Sequence, residues 1–317
     1  MRVKTKLHAP FWAGANFQRE EEKMLAKLVC TTLVLTVSIA TGTATAQSRA
    51  NLSAAEIVNK NVAARGGLQA WRAVQSMSWK GQLGVGGNQR APLPVSAGGK
   101  NGAKIPTDPR PKDEVQLPFL MEMERSRKVR FEIQFKGQTA VQVYDGASGW
   151  KLRPYLNRLE VEPFTSDELH VASMQSDIDG PLVDYAAKGT TIDLAGMEKV
   201  EDRDTYKLKL TMKDGHSLHI WIDAQTFLEA KIDGTPRRLD SIEHPVEIYY
   251  RDYRQVNGLQ IPFVLETKVL PVGKPASRAE STPVPLERIA IEKVEVNPKL
   301  DASLFSKPEI QTASNRH

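Results

Sequence analysis

The chain of 317 residues contains one cysteine, Cys30. It sits inside an apolar run, so whatever follows that run must be stable without disulfides. About 270 residues remain, enough to bury a core of their own. The apolar run, Leu28 to Ala40, is also short. A helix that spans a bilayer needs ~20 such residues, so this one reads as something other than a permanent span. Neither sign of charge dominates. Of 43 basic and 38 acidic residues, six and three fall in the first 46, leaving 37 against 35. That balance and the absence of a long basic run exclude nucleic acid as a partner.

Chemistry is sparse as well. After the apolar run the histidines are His170, His216, His219, His244 and His317, with no His-Glu-x-x-His among them. His216 and His219 lie three apart in a strand pattern, which places them on opposite faces. Gly146-Ala147-Ser148-Gly149 closes one residue too early for a nucleophile elbow and reads as a hairpin turn. Asp177-Ile178-Asp179-Gly180 is a calcium-loop fragment without its later acidic ligands and reads as a turn before Pro181. Glu122 and Glu124 alternate onto a strand's solvated face. Phosphate-binding loops and dinucleotide fingerprints are absent. The sequence therefore predicts no catalytic residue, no metal ligand and no cofactor, and points to a binding protein rather than an enzyme.

What is present begins with a leader. Lys23 and Lys27 precede the apolar run, and Ala44-Thr45-Ala46 follows it in the small-x-small pattern of a cleavage site. Residues 24–46 read as a secretory signal peptide cut after Ala46, which predicts a periplasmic protein. Cys30 lacks the small residue and the preceding apolar run of a lipidation site. Met24 reads as the start and residues 1–23 as a misassigned extension; the alternative is a genuine tail with a single membrane anchor.

Residues 47–317 read as one domain. Ser53 and Glu56 form a capping box ahead of Ile57, Val58 and Val62, and Gly66-Gly67 ends that helix. Leu68, Trp71 and Val74 suggest a second short helix. From Ser76 the period shifts to two: Met77, Trp79, Leu83; Val115, Leu117, Phe119, Met121, Met123; Val129, Phe131, Ile133, Phe135. Later strands follow at 206–212 and 218–222, and are predicted at 227–233, 245–254, 260–270 and 286–296, with Asp-Gly and Asn257-Gly258 turns between several. Thr165 or Ser166 caps a short helix through Met174. The stretches Gly86 to Asp113 and Pro271 to Pro285, rich in glycine or proline, read as mobile insertions. The fold class is mainly β (α+β): a large curved antiparallel sheet or half-open barrel covered by a few helices.

An apolar face on a curved sheet either packs under its own helices or holds a ligand. The methionines among aromatics suit a pocket that adapts to flexible chains. Candidate lining residues are Trp79, Leu117, Phe119, Met121, Met123, Val129, Phe131, Ile133, Phe135, Leu169 and Met174. Each methylene buried there contributes ~0.8 kcal/mol.

Several segments in order resemble the outer-membrane lipoprotein-sorting family. They are Ala64-Arg65-Gly66-Gly67-Leu68-Gln69-Ala70-Trp71, Tyr144-Asp145-Gly146-Ala147-Ser148-Gly149-Trp150, and Gly180-Pro181-Leu182-Val183-Asp184-Tyr185 through Lys188-Gly189. Tyr206-Lys207-Leu208-Lys209-Leu210, Trp221-Ile222-Asp223-Ala224, Asn257-Gly258-Leu259-Gln260-Ile261-Pro262 and Asp301-Ala302-Ser303-Leu304-Phe305 continue the series, over residues 52–308. The resemblance implies a half-open barrel with a helical lid, and a periplasmic carrier of lipid or lipoprotein acyl chains that meets envelope transport proteins and touches membranes transiently. It also implies a strand arginine that holds the lid, for which Arg125, Arg127 and Arg130 are candidates. The long loop at 86–113 departs from those carriers. The alternatives are a soluble envelope sensor or scaffold of the same fold that binds a protein partner, and a secreted hydrolase built on His216, His219 and Asp223.

Overall fold

The computed structural model describes residues 52–86, 114–154, 158–239, 242–273 and 284–309. Residues 24–46, read from sequence as a leader, residues 1–23 before them, most of the 86–113 stretch and residues 274–283 lie outside the described residues.

Two helices open the described chain, α1 (Ala54–Ala64) and α2 (Leu68–Ala73). The capping box forms as expected: Ser53 Oγ accepts from the Glu56 N–H while Glu56 accepts from the Ser53 N–H at 2.8 Å. At the break between the helices Gly66 has φ +117°, and its Cα lies so near Gly258 O that a Cβ would meet that oxygen at 2.5 Å. Only glycine satisfies both demands.

Among the described residues thirteen strands then form a single antiparallel sheet. They are β1 (Ser76–Gly86), β2 (Glu114–Glu124), β3 (Lys128–Phe135), β4 (Gln138–Tyr144), β5 (Gly149–Arg153), β6 (Arg158–Pro163), β7 (Thr191–Val200), β8 (Arg203–Thr211), β9 (Ser217–Asp223), β10 (Glu229–Leu239), β11 (Ile242–Val256), β12 (Leu259–Val269) and β13 (Val284–Val296). Their spatial order is β6-β5-β4-β3-β2-β1-β13-β12-β11-β10-β9-β8-β7. Each half is a meander, and the first and last strands of the chain pair in the middle, Met77 opposite Val296. The sheet edges are therefore β6 and β7, consecutive in sequence. The segment joining them, which contains α3 (Ser166–Gln175), has to pass from one edge to the other, and the curl of the sheet brings those edges within its reach.

Register sets the core. Met77, Met123, Val129 and Tyr144 lie opposite one another across β1–β4, and Trp79, Met121 and Phe131 form the next row. These rows face α1 and α2, so Ile57, Val58, Trp71, Met77 and Val129 are at most 2% exposed. The second half contributes Leu208, Leu210, Ile220, Ile222, Leu259 and Ile261 to the same cluster.

The opposite face is less uniformly wet than strand alternation suggests. A 3-10 turn at Ala302–Phe305 lays Phe305 on Val141 and Val143. Elsewhere on that face Trp221, Tyr249, Val200 and Ala230 form a second buried patch. Glu122 is half-buried, and burial, helped by neighbouring Glu132, pushes its carboxyl above the usual range. Glu124, by contrast, pairs with Lys128.

Candidate functional site

The concave face is covered unevenly. At the helix-covered end the rows are closed: Met123 is 5% exposed and Phe131 2%. On the same face Trp79, in the row of Phe131, and Leu117, Ile133, Leu218, Ile232 and Leu265 on five strands are only partly buried against the core. Phe119 and Met121, at 4% each, are as closed as Met123. Phe135 is half-buried at the strand end, with the Lys136 ammonium 5.3 Å from its ring centre.

Helix α3 lies at this second end. Thr165 and Glu168 form its capping box. Glu168 also pairs with Lys151 of β5, whose side chain is 6% exposed. Burial works to raise the Glu168 carboxyl, but the Lys151 and Thr165 hydrogen bonds outweigh it and leave the group low. The far end of α3 reaches the other half of the sheet, with Gln175 Nε2 3.5 Å from Thr235 Oγ1 on β10. Between them His170 meets His216 of the β8–β9 turn edge-on, centroids 6.3 Å apart. Leu169 packs on the core and Met174 is half-buried. So α3 bridges β5 and β10 over the less covered end of the concavity.

The three candidate arginines differ in reach. Arg125, at the β2–β3 turn, donates to Trp71 O at 2.6 Å, to Val74 O at 2.6 Å and to Asp179 Oδ2 at 2.7 Å. It thus closes the C-terminus of α2 and ties it to the turn segment 176–190. Arg127 donates to Asp177 of that segment from an exposed position. Arg130 points the other way, to Glu132 and to Leu304 O, under the 3-10 turn.

Asp179 is the residue that sequence reading passed over as an ordinary turn aspartate. Its side chain is 4% exposed and takes both Arg125 and Lys188, the latter at 2.7 Å. Its backbone oxygen accepts from Arg65, whose guanidinium lies 4.3 Å over the Trp71 ring and 3.3 Å from Glu229. Turn segment, helix pair and sheet therefore converge on one carboxylate. Between α1, α2 and residues 182–187 lies an open surface cleft of about 520 Å³ lined by Val58, Val62, Leu68, Leu182 and Tyr185 among others. The two parts of the cover are pinned ionically at Asp179.

The hydrolase constellation does not assemble. His219 Nδ1 lies 2.8 Å from Asp233, not Asp223. Asp223 accepts from the Gln225 and Thr226 N–H groups and from Arg203. Among the described residues no group of three or more potential ligands could hold a metal ion.

Neither a family model nor a curated protein sequence matches the chain. Among solved structures it is similar to a LolA superfamily protein from Nitrosomonas europaea, at 13% identity and a TM-score of 0.47, over 81% of this chain and 98% of that one. A DUF1329 family protein from Desulfovibrio piger gives 11% and 0.47, covering 81% and 99%. An outer membrane lipoprotein-sorting protein domain from Vibrio parahaemolyticus gives 10% and 0.45, covering 80% and 95%.

Proposed function

We propose that this chain is an envelope carrier that shelters acyl chains on the concave face of its sheet, beneath a cover pinned by Arg125 and Asp179. The observation that carries the reading is the graded burial of that face. A core packed only for stability buries its large apolar side chains throughout. Here Leu117, Ile133, Ile232 and Leu265 stay partly exposed on a surface that curls around them. Water against such a surface is displaced favourably by an alkyl chain, at ~0.8 kcal/mol per methylene. Export by a cleaved leader ending at Ala46 would deliver the carrier to the aqueous space it has to cross. In this reading Phe119, Met121, Met123, Val129 and Phe131 floor the site, while Trp79, Leu117, Ile133, Phe135, Leu169 and Met174 meet the cargo.

Fluorescence quenching tests this directly. Alkyl chains carrying bromine quench a nearby indole. Titrated into residues 47–317, they are expected to quench the protein, and Trp79→Phe is expected to remove most of that quenching while Trp221→Phe leaves it. Quenching that Trp79→Phe does not change, or none at all, would sink the reading.

A second reading, a scaffold for a protein partner, is favoured by one observation. The edge strand β7 exposes Leu194 at 40% and Met197 at 48%. Edge strands offer unpaired backbone groups to an incoming strand. Lysine at both positions would weaken partner capture in that case and leave alkyl quenching untouched.

A further inference from the structure

Within the acyl-chain reading above, on which this inference rests, we propose that Arg237 is a head-group receptor: the cargo is a single-chain amphiphile with a carboxylate head, held by the Arg237 guanidinium while its chain runs along the concave face. The placement follows from register. Ile291 and Ile289 of β13 face the core, and Glu287 continues that alternation at the end away from α1 and α2. Across the sheet Glu287 is opposite Thr267, Thr267 opposite Ile248, and Ile248 opposite Ile232. Arg237 of β10 nonetheless hydrogen-bonds Glu287 directly, although β11 and β12 lie between their strands. The curl of the sheet allows it, and the pair spans the concave face beside the partly buried Leu265 and Ile232.

Both side chains are nearly dry, with Arg237 at 14% exposure and Glu287 at 9%. Arg237 Nη2 donates to Glu287, and among the described residues no other acceptor meets the guanidinium. A guanidinium offers five donors in a planar fork that fits a carboxylate. The guanidinium N–H groups that Glu287 does not use are not enclosed, which leaves them open to a second anion. Burial lifts the Glu287 carboxyl to about 7, against the pull of Arg237. Near neutral pH the resident acid therefore neutralises Arg237 only part of the time. A ligand carboxylate that meets the open side of the guanidinium, short of the enclosure that raises Glu287, stays ionised and completes the pairing. A neutral head leaves the charge unmatched, and an ammonium head is repelled.

The test uses residues 47–317 loaded with the neutral apolar dye N-phenyl-1-naphthylamine and competes it with dodecanoate, dodecanol, dodecylamine or acetate. Dodecanoate is expected to displace the dye at concentrations at least tenfold below dodecanol and dodecylamine, and acetate is expected not to displace it. Arg237→Gln should abolish the preference while dye binding persists. Equal displacement by the three dodecyl compounds overturns the proposal, as does a preference that survives Arg237→Gln. Displacement by acetate overturns it too, because the site would then be one for free anions. Should Arg237→Gln fail to fold, Glu287→Gln decides: freeing Arg237 from its competing acid is expected to increase the dodecanoate preference several-fold, and an unchanged or smaller preference overturns it. If the wild-type chain binds no dye, the acyl-chain reading itself falls, whereas bound dye without head-group preference leaves that reading standing and removes this one.

Discussion

Arg125 and Asp179 show how much one buried charge can organise. Asp179 at 4% exposure has to be compensated, and Arg125 and Lys188 do so. Arg125→Ala removes three charge-assisted hydrogen bonds and leaves Asp179 short of a partner. Breaking such a pair costs roughly 3 kcal/mol. Urea unfolding is expected to show that loss, and Arg125→Lys is expected to recover part of it, because a lysine can meet Asp179 but not both carbonyls as well. A loss within error for Arg125→Ala would mean that the cover is held by apolar contact alone. Glu287 gives a second residue-scale outcome. Its folded-state carboxyl at about 7 lies above the usual 4.5, so the native state binds the extra proton. Stability from this group is therefore fully present below about 4.5 and falls as pH rises through about 7, by at most on the order of 3 kcal/mol. The difference in unfolding free energy between wild type and Glu287→Gln, measured from pH 5 to 8, should shift against the wild type as pH rises. Carboxylates held low, such as Asp223 and Glu168, act oppositely in the acid range and cancel in that difference. The resemblance offered three arginines, Arg125, Arg127 and Arg130, and of these Arg125 bonds the carbonyls at the end of α2. Which of them meets the helices depends on the β2–β3 turn, where Ser126 and Arg127 adopt φ of 71° and 63°, a conformation that residue type alone does not announce. Asp179, Lys188 and Glu287 were invisible for the same reason: a charge looks solvated until the fold buries it.

At the scale of elements, alternation did most of the work. The period-two runs at Met77–Leu83, Val115–Met123 and Val129–Phe135 became β1, β2 and β3 with those side chains on one face, and Ser53 and Thr165 cap the helices their neighbours suggested. What alternation hid is the convex face. Lys207, Trp221, Lys231, Tyr249, Glu266 and Arg288 are opposed in succession across six strands, β8 to β13. Trp221 lies between Lys207 and Lys231, whose ammonium groups are 4.9 and 4.0 Å from its ring centre, and its indole N–H donates to Glu198. In sequence these lysines look like solvated partners of an inward strand; a β-bulge between Glu229 and Lys231 places the row. Trp221→Ala removes a large buried aromatic from the middle of this ladder and is expected to cost about 3–4 kcal/mol, read by thermal or urea unfolding. Lys207→Ala, at the ladder's end, is expected to cost about 0.5–1 kcal/mol in the same assay.

At the scale of the molecule the decisive fact is the meeting of β1 with β13. It splits one sheet into two meanders and makes β6 and β7 the edges, so the chain between them has to cross the concavity. Nothing in strand periodicity encodes that pairing, because it joins residues over two hundred positions apart; the sequence could announce an apolar-faced meander but not where it would close. The architecture then assigns separate tasks to the ends of the concave face: α1, α2 and the Asp179 segment over one, α3 and the Arg237–Glu287 pair over the other. An acyl-chain carrier needs such an asymmetry, with a fixed floor and a side that admits cargo. Because α3 is joined to the sheet halves through Glu168–Lys151 and the Gln175–Thr235 contact, Glu168→Gln is expected to loosen it. Amide hydrogen exchange should rise within α3 while the protection of β1–β3 stays unchanged. The most direct measurement of the central claim is the lipid content of the protein itself: the full chain expressed, its product purified from the envelope fraction without detergent, and extracted for mass spectrometry. Acyl lipid recovered at close to one molecule per chain, and strongly reduced by Phe131→Glu in a variant that remains folded, is the result expected. Repeated recovery of lipid-free protein that also leaves added alkyl chains unbound would contradict it.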